Sequence, residues 1–455
     1  MTKVLSWTFG LSLWLSLMLG AIHLSSTQLS FYQHHYARLD VAATLQMSNA
    51  DLNRVTVELL RYLVAARQDL DLEVSINGQN VPMFNQHEID HMIDVQVLYV
   101  RLVQGFYVSL GVLGLSFVGL FATLKRHAGT ELWRGFIQAA LVLGALIGGI
   151  GLYAALDFRS FWIAFHELLF DNDLWLLNPN TDRLIQMVPE SFFTSLITMI
   201  FVRFALTVSF VGLSLKGWAH GLNRRWLKWF ALAAMSVDHV GYFLFPHYFE
   251  LRLFGRLAFP IFAFLFAHTL HQKTDLRPLR KLLWSSAILT QVALAWAGVE
   301  LVNILFLFAI STHAYVFLQK RNIGLFVVCA IALEVAGVDY GLYGLISILW
   351  FAQYQDQPLR QSLGFIALTL VFSASRVFQG YGAVDLMQSL LAFSSWGYRV
   401  WAQAFAGLAM VLTMHYDATR PPRFAPAWLN KVERYFFYVY YPVHLVALQL
   451  MARFL

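Results

Sequence analysis

The chain has 455 residues, of which 58% are hydrophobic and 13% charged, with a formal net charge of +6. A soluble globular domain carries about 25% charged residues, so this composition excludes one and predicts an all-α polytopic membrane protein. The basic residues cluster between apolar runs, where they set topology rather than bind nucleic acid, and the single cysteine, Cys329, excludes an intrachain disulfide framework.

In chain order, the first segment, "MTKVLSWTFGLSLWLSLMLGAIHLSS", places about 20 apolar residues after a lysine, enough to span a bilayer. It reads as a retained helix with its N-terminus inside, because no small-x-small cleavage site follows. Apolar runs at 4–24, 97–121, 135–156 and 192–215 predict a four-helix transmembrane bundle. Lys3, then Lys125, Arg126 and Arg134, then Lys216, Arg224, Arg225 and Lys228 alternate as a positive-inside arrangement requires. Residues 25–96 and 157–191 therefore share the extracytoplasmic face.

The segment 25–96 predicts a small ordered cap. Leu52, Val55, Leu59 and Leu63 recur at helical spacing after Ser48 and Asp51, a helix start. "LEVSINGQNVPMF" alternates around Asn77-Gly78, a hairpin signal. "NQHEIDHMIDVQVLYVRLV" then reads as a helix running straight into the second span.

The first domain is thus placed at 1–215, with a basic cytoplasmic linker, "KGWAHGLNRRWLKW", at 216–228. Residues 229–455 predict a second membrane domain of about eight to ten spans. Its runs at 341–353 and 362–375 are short for spans, and 384–395 is short enough to be re-entrant.

His87-Glu88-Ile89-Asp90-His91 is a literal H-E-x-x-H, the helical zinc-protease pattern. It needs a third ligand, which Glu167 or His166 could supply. A different chemistry is also available. Asp94, three residues past His91, can accept a hydrogen bond from an imidazole and fix its tautomer. "FRSFWIAFHELLFDNDLWLLNPNTDRLIQMVPESFF" brings His166, Glu167, Asp171, Asp173 and Asp182 to the same face. Two imidazoles from different helices can divide base and acid roles. Trp162 and Trp175 read as interfacial anchors.

Residues 1–215 resemble the bacterial lipoprotein intramolecular transacylase (Lit) family. The likeness is carried by "DLNRVTVELLRYL", "MFNQHEIDHMIDVQVLY", the long His166 stretch and the four-span layout. The resemblance implies transfer of the sn-2 acyl chain of a diacylglyceryl lipoprotein to the amine of its N-terminal cysteine, without a cofactor. It implies His91 and His166 as the functional pair; from their spacing and shared face, Asp94 is placed with that pair and Glu167 and Asp182 toward the substrate. His87 is outside the family pattern, which makes the H-E-x-x-H accidental and the metal set empty.

In the second half, "MSVDHVGYFLFPHYFELRLFGRLAFPIFAFLFAH" places Asp238-His239 and Arg256 at membrane depth, where ionisable residues mark function. Asp238 beside His239 can make a general base, and Arg256 can hold a phosphate or carboxylate. This half resembles the TraX-type membrane acetyltransferases in "DHVGYFLF", "LRLFGRLAFPIFAFLFAHTL", "NILFLF", "DYGLYGLISIL" and "FFYVYYPVHL". The resemblance implies acetyl-CoA as donor and a catalytic element at Asp238-His239; Arg256, Asn303 and His444 also fall in the matching motifs and are placed on the substrate side. Tyr416-Asp417-Ala418 stands where the family often has Tyr-Asn-Gly.

The combined expectation is a bifunctional acyltransferase of the bacterial inner membrane, acting on diacylglyceryl lipoproteins among membrane lipid. Its first half makes lyso-form lipoprotein, and its second acylates the product. A proton-coupled lipid flippase and an intramembrane zinc protease are the competing readings.

Overall fold

The structure, a computed structural model, describes residues 2–76, 78–246, 248–391, 402–419 and 427–454. The chain divides into two compact units, Met1–His220 and Gly221–Leu455. It is an all-α polytopic membrane protein, with one two-stranded sheet among the described residues.

The first unit contains α1 (Thr2–Ser26), α2 (Leu29–Leu39), α3 (Val41–Thr44), α4 (Asn49–Leu63), β1 (Glu73–Ile76), β2 (Gln79–Pro82) and α5 (Gln86–Leu124). There follow α6 (Ala128–Ala139), α7 (Ala145–Leu156), α8 (Phe158–Leu169), α9 (Arg183–Met187) and α10 (Glu190–His220). A π-helical turn at Ala140–Gly144 joins α6 to α7 in one rod. By length and composition α1, α5, α6–α7 and α10 can each cross a membrane, matching the four apolar runs.

Helix α1 lies against α5, α6 and α10. It can do so because Gly10 and Gly135 let backbones touch. A Cβ at Gly10 would overlap the Gly135 carbonyl, and one at Gly135 would overlap that of Ser6. Ser6 Oγ donates to Glu131 O at 2.7 Å across the same crossing. Close approach through small residues is how helices associate where lipid removes the hydrophobic drive. Gly135→Ala is therefore expected to destabilise the bundle by about 1–3 kcal/mol through overpacking, read as a lower unfolding temperature of the purified protein.

The cap forms as its local signals dictate. Ser48 Oγ accepts the Asp51 N–H at 3.0 Å and starts α4, whose buried face is Leu52, Val55, Thr56 and Leu59. The strands pair antiparallel with Val74 opposite Val81, and Gly78 supplies the positive φ of +77° that the turn needs. Asn77 lies outside the described residues.

Asn85 and Glu88 close a capping box that starts α5. The helix then continues for 39 residues, about 58 Å at 1.5 Å per residue. Since the hydrocarbon core is roughly 30 Å thick, the first turns of α5 project past it. They carry His91.

The second unit contains α11 (Arg224–Phe243), α12 (Phe249–Gly255), α13 (Ala258–Gln272), α14 (Arg277–Trp296) and α15 (Leu305–Gln319). Next are α16 (Ile323–Val335), α17 (Gly341–Gln353), α18 (Pro358–Leu391), a 3-10 turn (Ala402–Leu408), α19 (Ala409–Thr413) and α20 (Ala427–Ala452). Two segments, Phe249–Gln272 and Tyr435–Ala452, are long and apolar enough to cross a membrane. Helices α15, α16 and α17 have 15, 13 and 13 residues, and α18 runs through the first part of 384–395 to Leu391; 392–395 lie outside the described residues. The span count of eight to ten thus rests on composition more than on helix length.

The expected linker at 216–228 is mostly helix. Helix α10 extends to His220, and α11 opens at Arg224 with the Asn223 side chain accepting the Trp226 N–H at 3.1 Å. Gly221, at φ +71°, makes the turn between them.

Candidate active sites

In the first unit, Asp157 caps α8 by accepting the Ser160 N–H at 3.0 Å, and the helix carries His166 near its end. His91 and His166 are both buried, at 8% and 6% exposure. Their ring centroids lie 6.4 Å apart with planes inclined at 36°. Phe170 sits 5.7 Å from each ring. Trp175 stacks on His166 at 4.8 Å, and Trp162 meets it edge-on at 4.5 Å. The two tryptophans expected as interfacial anchors therefore form the walls around His166.

His166 Nδ1 lies 2.7 Å from the Trp162 carbonyl. A carbonyl only accepts, so Nδ1 carries the hydrogen and Nε2 keeps a lone pair. Burial holds the His166 pKa below the usual 6.5, although the bond to Trp162 O opposes that shift. The ring is then neutral at pH 7, a base ready at Nε2. Because the pKa is lowered, protonation should abolish activity only below pH 6.5. Trp175→Ala, which opens the ring to water, is expected to move that acid limb upward toward 6.5 in a pH–rate profile.

The neighbouring carboxylates behave differently from the expectation. Asp94 accepts from Asn172 Nδ2 at 2.9 Å rather than from an imidazole. It thereby ties α5 to the loop after α8 and sets the separation of the two histidines. Asp182 is buried and accepts from Asn178 N (2.8 Å), Asn85 Nδ2 (3.0 Å) and Thr181 Oγ1 (3.0 Å). Those bonds outweigh burial and keep its pKa low, so it organises the 178–184 loop and has little left for substrate. Glu167 is exposed and, one residue on from His166, points about 100° round the helix. Asp171 and Asp173 are exposed too.

Glu88 explains the H-E-x-x-H. It is 1% exposed, its Oε2 accepts the Asn85 N–H at 2.7 Å, and its Oε1 accepts the Leu184 N–H at 2.6 Å. It caps α5 and fastens the start of α9. His87 is 42% exposed, with Nδ1 4.0 Å from Asp182 Oδ2. Among the described residues no three His, Cys, Asp or Glu side chains are grouped to hold a metal ion. Asn85, Phe170 and Asn172 complete the site; sequence reading missed them because neither asparagines nor a lone phenylalanine announce a partner.

In the second unit, Asp238 Oδ2 pairs with Arg252 Nη1 at 3.0 Å and packs directly on Gly255, where a Cβ would overlap it. His239 Nδ1 lies 2.7 Å from His444 Nε2, and the rings stack at 4.9 Å. His444 Nδ1 lies 2.7 Å from the Tyr440 carbonyl. One arrangement makes both bonds with both rings neutral. His444 donates from Nδ1 and accepts at Nε2, His239 donates from Nδ1, and a lone pair is left on His239 Nε2. Both His444 nitrogens are thus engaged, which makes it an orienting group for His239 rather than a substrate contact.

Asn303 is also structural. Fully buried, it donates to Ala287 O and Gln291 Oε1, each at 2.9 Å, and accepts the Leu305 N–H at 3.1 Å. Arg256 Nη1 lies 3.5 Å from Gln403 Oε1. A cavity of about 290 Å³ is lined by Arg224, Lys228 and Lys273 and by apolar groups including Leu232, Met235 and Tyr441. Arg224, Lys228, Leu232, Met235 and His239 recur every three or four residues, so they share one face of α11. A second cavity, of about 600 Å³, includes Glu300, Glu334, Asp339 and Arg376 in its lining.

Comparison with known proteins meets this geometry from outside. Residues 7–193 match the family model of lipoprotein intramolecular transacylase Lit, and residues 223–452 match that of the TraX protein. The chain belongs to the TraX family through its second half, and its first half is similar to Lit. The chain is 29% identical to protein TraX of Escherichia coli over 245 residues, which cover 52% of this chain and 89% of that protein. Protein TraX of E. coli strain K12 is 31% identical over 143 residues, 30% of this chain and 57% of the relative. A solved structure of the membrane-integral Lit from Bacillus cereus is 20% identical and covers 47% of this chain and 94% of that one, with a TM-score of 0.40. His91 and His166 fall within the Lit match, and Asp238, His239, Arg256 and His444 within the TraX match.

Proposed function

We propose that the Lit-like domain moves the sn-2 acyl chain of a diacylglyceryl lipoprotein onto the amine of its N-terminal cysteine. The observation that carries this reading is the pair of buried imidazoles, 6.4 Å apart on α5 and α8, one with its Nε2 lone pair set by a backbone carbonyl. A terminal amine has a pKa near 8, within reach of a histidine base. His166 Nε2 takes the amine proton as the nitrogen bonds the acyl carbon. His91 donates a hydrogen bond to the developing oxyanion. The carbon–oxygen bond to glycerol then breaks, and the proton on His166 passes to the departing oxygen. Amine and ester belong to one molecule, so proximity lowers the barrier before any side chain acts.

In this reading the site and cap face the extracytoplasmic side of a bacterial inner membrane, with the N-terminus in the cytoplasm. The TraX domain transfers an acetyl group from acetyl-CoA to the glycerol hydroxyl that the first step frees. His239 Nε2, oriented by His444, is the base for that hydroxyl. The cavity on the His239 face of α11 fits a long donor with phosphates, since Arg224, Lys228 and Lys273 supply cations and the remaining wall is apolar. Acetyl-CoA would bring the thioester-activated acyl group.

Mass spectrometry of lipoprotein N-termini tests both steps in cells expressing the full chain. The expected product is a lyso-form N-terminus carrying one added acetyl group, with His239→Ala stopping at the lyso-form. Lyso-form alone from the unaltered chain would refute the second step. Conversion of a diacylglyceryl lipopeptide by the purified protein in detergent, with no ion gradient, sets this reading against a flippase.

A further inference from the structure

Three buried polar atoms without a hydrogen-bond partner belong to one neighbourhood of the TraX domain: Asp238 Oδ1, Arg256 Nε and Gln403 Nε2. Arg256 follows Gly255, on which Asp238 packs, and Arg256 Nη1 and Gln403 Oε1 are 3.5 Å apart. Asp238 precedes His239, and the charges of Arg252 and Arg256 act on both residues. Buried donors are nearly always bonded, and leaving one unmade is costly. Here a guanidinium N–H and an amide NH2 on neighbouring side chains stand beyond hydrogen-bond distance of any acceptor, the Tyr340 and Tyr343 hydroxyls being the groups that face Arg256 and Gln403, and the charge of Arg256 is felt at the proposed base.

We infer that Arg256 Nε–H and Gln403 Nε2–H bind the carbonyl oxygen of the acyl group in transit, and that Gln403 is a catalytic residue of the second site. This rests on the acyl-transfer reading of the TraX domain. His239 Nε2 takes the acceptor hydroxyl proton, and the hydroxyl oxygen bonds the acyl carbon. Charge collects on the former carbonyl oxygen, held by the two donors. The carbon–sulfur bond breaks, and the proton on His239 passes to the departing thiolate. Asp238, fixed by Arg252 and seated on Gly255, keeps Arg256 oriented.

The test uses the purified full-length chain and [1-13C]acetyl-CoA. Bound to the His239→Ala protein, which cannot turn it over, the labelled thioester should show an infrared carbonyl band lowered in frequency relative to the free thioester. Gln403→Met, of similar length but without the N–H, should return the band toward the free value. In the otherwise unaltered chain Gln403→Met should lower kcat by about 10²–10³ with KM little changed. Gln403→Asn should recover part of the loss; if Gln403→Met does not fold, Gln403→Glu is read for the same loss. Thioester that binds with an unshifted band, or a shift and kcat indifferent to Gln403, overturns this assignment and leaves acyl transfer standing. Absence of acetyl-CoA binding removes the donor reading, and this inference with it.

Discussion

His166→Ala is expected to lower formation of lyso-form lipoprotein by at least about 10²-fold, the usual contribution of a positioned acid–base residue, and His91→Ala to do the same. Both rings are buried, they face one another across 6.4 Å, and they are walled by Phe170, Trp162 and Trp175. In the proposed mechanism, removing either takes away the proton acceptor or the oxyanion donor while leaving the helices that hold them in place. The double variant should lose little more than either single one, because groups acting as a unit are not additive. His87, half exposed and 4.0 Å from Asp182, has no place in that sequence of proton transfers. His87→Ala and treatment with a chelator should therefore leave the mass-spectrometric product unchanged. Loss on chelation with recovery on adding zinc would instead establish the H-E-x-x-H as a metal site.

The second large effect belongs to Glu88, and it concerns stability. Glu88→Ala leaves the half-buried Asn85 N–H and the buried Leu184 N–H, 2.7 and 2.6 Å from the carboxylate oxygens, without acceptors. At about 1–3 kcal/mol for each unsatisfied donor, the loss is a few kcal/mol. Activity should fall together with the unfolding temperature, because the start of α9 is released from α5. His166→Ala should behave in the opposite way, silencing the enzyme while the unfolding temperature holds. A Glu88→Ala protein with normal stability and no activity would show the carboxylate acting in chemistry rather than as a staple.

These contrasts mark which parts of the protein were legible beforehand. The four long apolar helices of the first unit follow from apolar length alone, and α4 and the hairpin follow from Ser48 and Gly78, because these signals act between residues a few positions apart. The motifs around His91, His166, Asp238 and His239 were likewise readable, as resemblance to the two families. The side chains whose partners differ from expectation share a cause. Spacing offers Asp94 an imidazole one turn away, but it meets Asn172, 78 positions on. Asn303 and His444 carried motif signals yet satisfy backbone carbonyls and neighbouring side chains. The basic linker expected at 216–228 is mostly helix, because only Gly221 and Asn223 are needed to end one helix and begin the next.

The sequence by itself determined that this is a membrane protein, that its first half carries four helices long and apolar enough to span, and that candidate histidines lie in both halves. Composition and short-range periodicity suffice for that, since partition into lipid and helix capping depend on neighbouring residues. Only the tertiary structure decided that Glu88 is a staple, that Trp162 and Trp175 enclose His166, and that His239 leans on His444. The Glu88–Leu184 and His239–His444 pairings join residues 96 and 205 positions apart, and they follow from where helices cross, which no local pattern encodes.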